Sequence, residues 1–245
     1  MRLFAIVSYV GTRYAGWQKQ PNVLTIQEVI EKEISKYFNR EITIYGSGRT
    51  DAGVHAFGQT FHFDIDIDSI DLDRFLYSIN QMLPDDIKIE DIQEVDPSFH
   101  ARFSAKSKMY CYSIILESKN PFLKDFNYLY PREIDHKKLQ DLLTHFVGKH
   151  NFKNFTSKEE DKDGFIREIY SIDVDQRSPE AIQIYLNGNG FMRYMVRLIV
   201  GTAIHCLEKE LDATYIDSLL DENSERNIVS YKAPANGLVL AAVEY

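Results

Sequence analysis

At 245 residues the chain can form one large domain or two small ones, each with its own core. Hydrophobic residues make up 44% and charged residues 27%, the balance of a globular protein, and no apolar run is long enough to span a bilayer. The net charge of −9 argues against a general nucleic-acid binder, because phosphate contacts need Lys and Arg. Cys111 and Cys206 are the only cysteines and form neither a CxxC pair nor a disulfide framework, which fits a reducing cytoplasm. The opening MRLFAIVSYV has no secretory h-region or cleavage site and reads as a strand.

In chain order, Arg2–Val10 is the first strand. Thr25 and Glu28 form a capping box ahead of Ile26, Val29, Ile30, Ile34 and Phe38, whose spacing is helical. Ile42–Tyr45 reads as a short strand running into the turn Gly46-Ser47-Gly48. Val54–Ile67 alternates, with Phe57, Phe61, Phe63, Ile65 and Ile67 on one face and His62, Asp64 and Asp66 on the other, which predicts one buried and one wet face. Leu72, Phe75, Leu76, Ile79 and Leu83 mark a second helix stopped by Pro84, and Ile87–Val95 is a strand. The second half has strands at Ser107–Leu116, Arg167–Asp175, Ala181–Leu186 and Leu238–Val243. Its helices fall at Asp135–Val147, Phe191–Glu208 and Ala213–Leu220. Asn120–Asn127 and Lys158–Gly164 read as loops.

The first hundred residues therefore read β-α-β-β-α-β, and the rest resembles them without sequence repetition. The expected fold is α+β: two RRM- or ferredoxin-like halves, residues 1–103 and 104–245, with antiparallel or mixed sheets flanking a central cleft. No Pro/Ser-rich linker separates them, so the join near Pro97–Ala105 is expected to be structured.

Charge is uneven along the chain. Acid gathers at Asp64–Asp73, Asp85–Asp96, Glu159–Asp163 and Asp221–Glu225. Base gathers at His100–Lys108, at Lys149–Lys158, and at Arg193 with Arg197. A polyanion could follow the basic stripe; the plainer reading is a set of solvated faces.

Three segments could carry chemistry. GSGRTDAGVH (Gly46–His55) lies between two strands, and its glycines let backbone approach a ligand. Asp51, beside Arg49, is a candidate nucleophile or general base, since a nearby cation keeps a carboxylate ionised; a surface turn with an Arg–Asp pair fits the same residues. Tyr110 and Tyr112 share one strand face and could stack on a base, with Arg102, Lys106 and Lys108 close enough for phosphate, or could be ordinary sheet residues. On the long helix, Arg193 and Arg197 are four residues apart on one face and could meet a carboxylate or phosphate, or form a solvated edge.

Other motifs fail. Gly188-x-Gly190 and Gly46-x-Gly48 lack the third glycine of a dinucleotide fingerprint. Asp64-x-Asp66-x-Asp68 lacks the Gly and the bidentate Glu of a calcium loop. His55 and His62 have no companions at metal spacing, so both are expected to be structural, and no metal site is expected.

Taken together, GSGRTDAGVHAFGQTFHF (Gly46–Phe63) closely resembles the signature of the tRNA pseudouridine synthase A family. YVGTRYAGWQKQP, LPDDI, FHARFSA, YCY, GFMRYMVRLIVG and APANGLVL occur in that family's order, so the resemblance covers nearly the whole chain. It implies the pseudouridine synthase fold and the isomerisation of uridine to pseudouridine in the tRNA anticodon stem-loop, at positions 38 to 40, after base flipping. It implies Asp51 as nucleophile, Arg49 in base extrusion, Tyr110 stacked on the uracil, Arg197 paired with the catalytic Asp, and Leu238 lining the base pocket. It also implies a cytoplasmic homodimer with no membrane association, no cofactor and no catalytic metal. Two departures bear on tRNA choice and affinity more than on chemistry: Val10 replaces the Asp expected after the opening Tyr, and the 159–163 loop is unusually acidic. Two other classes compete: an RNA-binding module or tRNA chaperone without turnover, and a nucleoside or glycoside hydrolase. The second lacks a clear partner acid near Asp51.

Overall fold

The structure is a computed structural model describing residues 1–160 and 164–245. The chain divides into two compact units, one comprising Met1–Lys106 with Leu240–Tyr245 and the other Ser107–Val239.

The first unit is built on β1 (Arg2–Tyr9), whose residues Leu3, Phe4, Ala5, Val7 and Tyr9 are all buried. A strand covered on both faces belongs inside a sheet. α1 (Ile26–Phe38) starts at Thr25, whose hydroxyl accepts from Glu28 N at 3.4 Å, and buries Ile26, Ile30 and Ile34 along one stripe. It ends at Asn39 in the left-handed conformation.

The next strand, β2, is only Tyr45–Gly46. The expected strand residues Ile42–Ile44 give their amides to α1 instead: Ile42 N donates to Ser35 Oγ at 2.9 Å and Ile44 N to Glu31 Oε1 at 3.1 Å. β3 (His55–Asp64), α2 (Leu72–Met82, capped by Asp71 accepting from Arg74 N) and β4 (Ile87–Val95) complete this part. β1 pairs antiparallel with both β3 and β4.

The alternation expected for β3 does not hold. Phe57, assigned to the dry face, is 69% exposed, while Thr60 and His62 on the other face are buried. The second face is dry because Phe99 and Tyr245 cover it: Phe4 meets both rings edge-on at 5.2 Å, and Phe99 stands edge-on to His62. The segment around residues 97–105 is tied by Phe99 N→Asp96 O and Ser104 N→His100 O, both 2.9 Å.

The second unit begins with β5 (Ser107–Leu116) and β6 (Tyr128–Tyr130), which pair in parallel. α3 (His136–Thr144) is capped by Asp135, and β7 (Gly148–Asn151) follows; its Gly-Lys-His-Asn has no apolar alternation to announce it. β8 (Ile166–Ser178) and β9 (Ala181–Gly188) form an antiparallel hairpin, giving the order β5-β9-β8-β7. α4 (Met195–Lys209) and α5 (Ala213–Leu220) follow. β10 (Leu238–Glu244) starts in this unit, and its later residues belong to the first, where the strand lies beside β3. Sheets with both parallel and antiparallel pairs, plus helices, make this an α+β protein.

α4 starts four residues later than the periodicity predicts. Tyr194, at φ 65°, takes the left-handed conformation and cannot continue a helix backward. Arg193 therefore precedes the helix, and the expected shared helical face with Arg197 does not exist. In the 158–164 stretch, Glu159 and Glu160 are exposed, and Asp161 and Asp163 lie outside the described residues. Arg226 donates to the carbonyls of Lys153, Thr156, Lys158 and Glu159, so one guanidinium fastens the start of this loop.

Candidate active site

In the first unit, the loop Gly46–Gly53 is held by close backbone approach and neutral hydrogen bonds. A Cβ on Gly16 would sit 2.5 Å from Thr50 O and 3.1 Å from the Asp51 carbonyl carbon, and Gly16 itself has φ +93°. Only glycine lets the opening segment lie against this loop. A Cβ on Gly11 would fall 2.0 Å from Val54 O. The opening motif YVGTRYAGWQ thus acts as the bed on which the GRTDAG loop rests.

Hydrogen bonds close the loop from the other sides. Trp17 N donates to Thr50 O at 3.1 Å, and Gly53 N to Tyr14 O at 3.3 Å. Thr50 Oγ1 and the Tyr9 hydroxyl are 2.8 Å apart in the core. Burial pushes the Tyr9 phenol well above its ordinary pKa, with Thr50 and Gln59 acting the other way, so Tyr9 stays neutral. Ser47 N donates to Thr60 O, the Ser47 hydroxyl donates to buried Gln59 Oε1 at 2.7 Å, and Gln59 Nε2 donates to Gly48 O at 3.0 Å. Val54 N→Asp51 O at 3.1 Å closes the turn.

Within this frame Asp51 is half-buried and Arg49 exposed. A carboxylate on a fixed loop, reachable from solvent, can act as nucleophile or base on a ligand brought to it. Arg102 and Lys106, in the same unit, are exposed; the Arg102 guanidinium lies 5.6 Å from the Phe103 ring. Both histidines weighed for metal binding accept backbone amides: His55 Nδ1 from Gly11 N at 3.0 Å, His62 Nδ1 from Ala101 N at 3.2 Å. Burial, then the charges of His100 and Arg2, lower His62 from its ordinary 6.5 to about 4.

The second unit brings three motifs together. Arg197, on α4 and only 9% exposed, donates from Nε to Ala233 O at 2.7 Å, while Ala233 N donates to Arg197 O at 3.0 Å. A Cβ on Gly201 would lie 1.9 Å from Tyr231 O, so the 231–233 segment rests directly on α4. Tyr112, fully buried on β5, donates from its hydroxyl to Pro234 O at 2.8 Å, and Gly237 packs against its ring. Burial pushes the Tyr112 phenol up, and the Arg197 charge opposes that shift. YCY, MVR and APANGL thus converge through Tyr112, Arg197 and the Ala233–Gly237 backbone.

Tyr110 is 8% exposed and stands edge-on to Phe191, ring centroids 5.2 Å apart. Leu238 is buried at the start of β10, and Lys108 is half-buried on β5. Arg193 is exposed, with its guanidinium 4.8 Å from the Tyr194 ring. Tyr194 and Lys232 escaped the sequence reading: Lys232 Nζ sits 4.1 Å from that ring. A left-handed conformation at a bulky residue costs on the order of 1–3 kcal/mol and persists only where the surroundings enforce it. No local signal marks Tyr194 as left-handed, since Gly and Asn are the usual occupants.

A family model described as "tRNA pseudouridine synthase" matches residues 5–104 and 142–245. The tRNA pseudouridine synthase A of Geobacillus sp. (strain WCH70) is 40% identical over 248 residues, covering 100% of this chain and 98% of that one. Its counterpart in Anoxybacillus flavithermus (strain DSM 21510 / WK1) is 37% identical over 245 residues, covering 100% of this chain and 98% of that one. A Listeria monocytogenes (serotype 4a, strain HCC23) counterpart is 37% identical over 247 residues, covering 100% and 99%.

Proposed function

The chain belongs to the tRNA pseudouridine synthase family and has that family's fold, and from this premise we propose that it isomerises uridine to pseudouridine in the anticodon stem-loop of tRNA, at positions 38 to 40. The observation that carries the site assignment is Asp51, half-buried on a loop locked by Gly16, Thr50–Tyr9 and Ser47–Gln59.

The reaction balances without an added group. The N1–C1′ bond breaks, the uracil turns, and a C5–C1′ bond forms; C5 gives up its proton and N1 gains one. No electron passes to an acceptor, so the chemistry asks for no redox cofactor. A stacked uridine must first leave its helix, at a cost of a few kcal/mol. Arg49, exposed beside Asp51, suits the task of holding the strand open. Asp51 acts on the flipped nucleotide as nucleophile. Tyr110 offers a ring face to the uracil. Leu238 supplies an apolar wall, and Arg197 stands where the family's motif has the arginine assigned to its catalytic carboxylate. Arg102, Lys106, Lys108 and Arg193 meet phosphate. Each adds positive charge where the net charge of −9 withholds it from the chain at large.

The same reading includes a homodimer working in the cytoplasm. It is supported by family membership. Light scattering of the purified protein checks the dimer. The function itself is tested by incubating unmodified tRNA with the protein and mapping pseudouridine. Appearance at positions 38 to 40 is the expected result. Free uracil in its place would indicate a hydrolase, and binding without modification an RNA-binding module.

A further inference from the structure

We propose that Arg193, Lys232 and Tyr194 form a subsite for one phosphodiester of the RNA substrate, beside Arg197. The inference rests on the reading of the chain as a tRNA-modifying enzyme and adds to it the residues that grip the backbone.

All the observations lie within the second unit. Three cations converge on one ring: Lys232 Nζ at 4.1 Å, the Arg193 guanidinium at 4.8 Å and that of Arg197 at 5.7 Å from the Tyr194 centroid. Arg193 Nη2 also donates to the Tyr194 hydroxyl at 2.9 Å. Arg193 and Lys232 are exposed, and among the described residues neither is ion-paired with a carboxylate. The first turn of α4 carries no acidic residue. In a chain with nine more acidic than basic charges, two exposed cations on one ring, neither ion-paired with a carboxylate among the described residues, stand out.

The backbone builds the arrangement. Arg197 binds both the amide and the carbonyl of Ala233, and Gly201 lets Tyr231 O lie on the helix, so Lys232 is carried between two fixed neighbours. Tyr194 turns back through its left-handed backbone to place its ring among the cations. Like charges repel, and a ring quadrupole only partly offsets that repulsion. A phosphodiester resolves it. Arg193 presents a planar fork matched to two phosphate oxygens, and Lys232 presents a point charge. Side chains already parked on a ring lose little freedom on binding.

The test measures binding of an unmodified anticodon stem-loop RNA to the full chain over a range of KCl concentrations. The proteins are wild type, Lys232→Gln, Arg193→Gln and the double variant, each with its Tm. Each single change is expected to weaken binding about five- to tenfold; because one phosphate is gripped, the double variant should reduce the slope of log K against log salt by about 0.7–0.9 in total, and each single change by part of that. Lys232→Arg keeps the charge and should restore the slope, which a purely structural brace would not require. In wild type, one methylphosphonate position in the RNA should cost the factor that the double variant loses, and it should cost nothing further in that variant. Unchanged affinity and slope in a folded double variant would overturn the proposal. So would equal sensitivity at every methylphosphonate position, which would indicate a diffuse field. Inorganic phosphate bound by these residues with no effect on RNA affinity would assign the site to a free anion and overturn it as well. Pseudouridine mapping separates the two readings. A double variant that modifies RNA with wild-type affinity and slope sinks the subsite alone. A wild type that shows the slope effects but forms no pseudouridine sinks the enzymatic reading alone.

Discussion

The loop carrying Asp51 and the start of α4 are held in opposite ways. The loop is fixed by neutral contacts: glycines against carbonyls, Thr50 on Tyr9, Ser47 on Gln59. The helix start is fixed by charge: Arg197 on the Ala233 carbonyl, with two further cations around Tyr194. A carboxylate that must react gains from a frame that does not compete for its charge. A surface that must hold a polyanion gains from exposed cations such as Arg193 and Lys232, neither of which pairs with a carboxylate among the described residues. The first arrangement should respond to sterics and shrug off salt; the second should do the reverse.

The largest expected effects break the frames sterically. Gly11→Ala would drive a methyl to 2.0 Å from Val54 O, and Gly201→Ala to 1.9 Å from Tyr231 O. Each should cost about 3 kcal/mol of stability by chemical denaturation, the upper range for overpacking against backbone. A loss below about 1 kcal/mol would show that the backbone yields and the frames are soft.

Arg197→Ala removes a buried charge-assisted hydrogen bond and leaves Ala233 O without its guanidinium. A destabilisation of about 2 kcal/mol is expected. Pseudouridine formation should fall further than stability alone explains, and Arg197→Lys should recover part of the stability. An Ala variant with normal turnover would remove Arg197 from the site.

A pH effect should arise in the first unit. His62 has its pKa lowered from 6.5 to about 4, chiefly by burial. Between those values the unfolded chain binds the extra proton, so stability is full above pH 6.5 and is lost as pH falls toward 4. His62→Gln should flatten the stability profile in that window relative to wild type; identical profiles would mean His62 charges in place.

The smallest effect sharpens the contrast. Thr50→Val keeps the shape but removes one hydrogen bond of the buried Tyr9 hydroxyl, costing about 1 kcal/mol. It should slow turnover several-fold while leaving the salt dependence of RNA binding untouched. A changed salt slope would blur the distinction between the two regions.

The sequence made most of the frame readable. Ile87–Val95 and Ser107–Leu116 match the observed strands because alternation and flanking turn residues bound them. Thr25 starts α1 as its capping box indicates. Failures occurred where side chains distant in sequence decide. Thr60 and His62 are dry because Phe99 and Tyr245 cover them, which no local pattern reports. Ile42–Ile44 leave the strand because Ser35 and Glu31 claim their amides. The start of α4 was misplaced because Tyr194 adopts a backbone conformation usual for glycine, and with that the partnership of Arg193 changed from Arg197's helical face to the Tyr194 ring. Asp51 stands out as a candidate through its motif; Lys232 does not, because only the fold lays residue 232 beside residue 194.

The central claim is that Asp51 does chemistry on a bound nucleotide and does not merely shape the loop. It is tested most directly with Asp51→Asn, which keeps the volume and removes the charge. Pseudouridine formation in unmodified tRNA and tRNA affinity should be measured side by side with wild type. Turnover lower by about 10³-fold or more, with affinity and Tm unchanged, is the predicted result. Turnover within tenfold of wild type, or affinity lost in the same proportion as turnover, would contradict it.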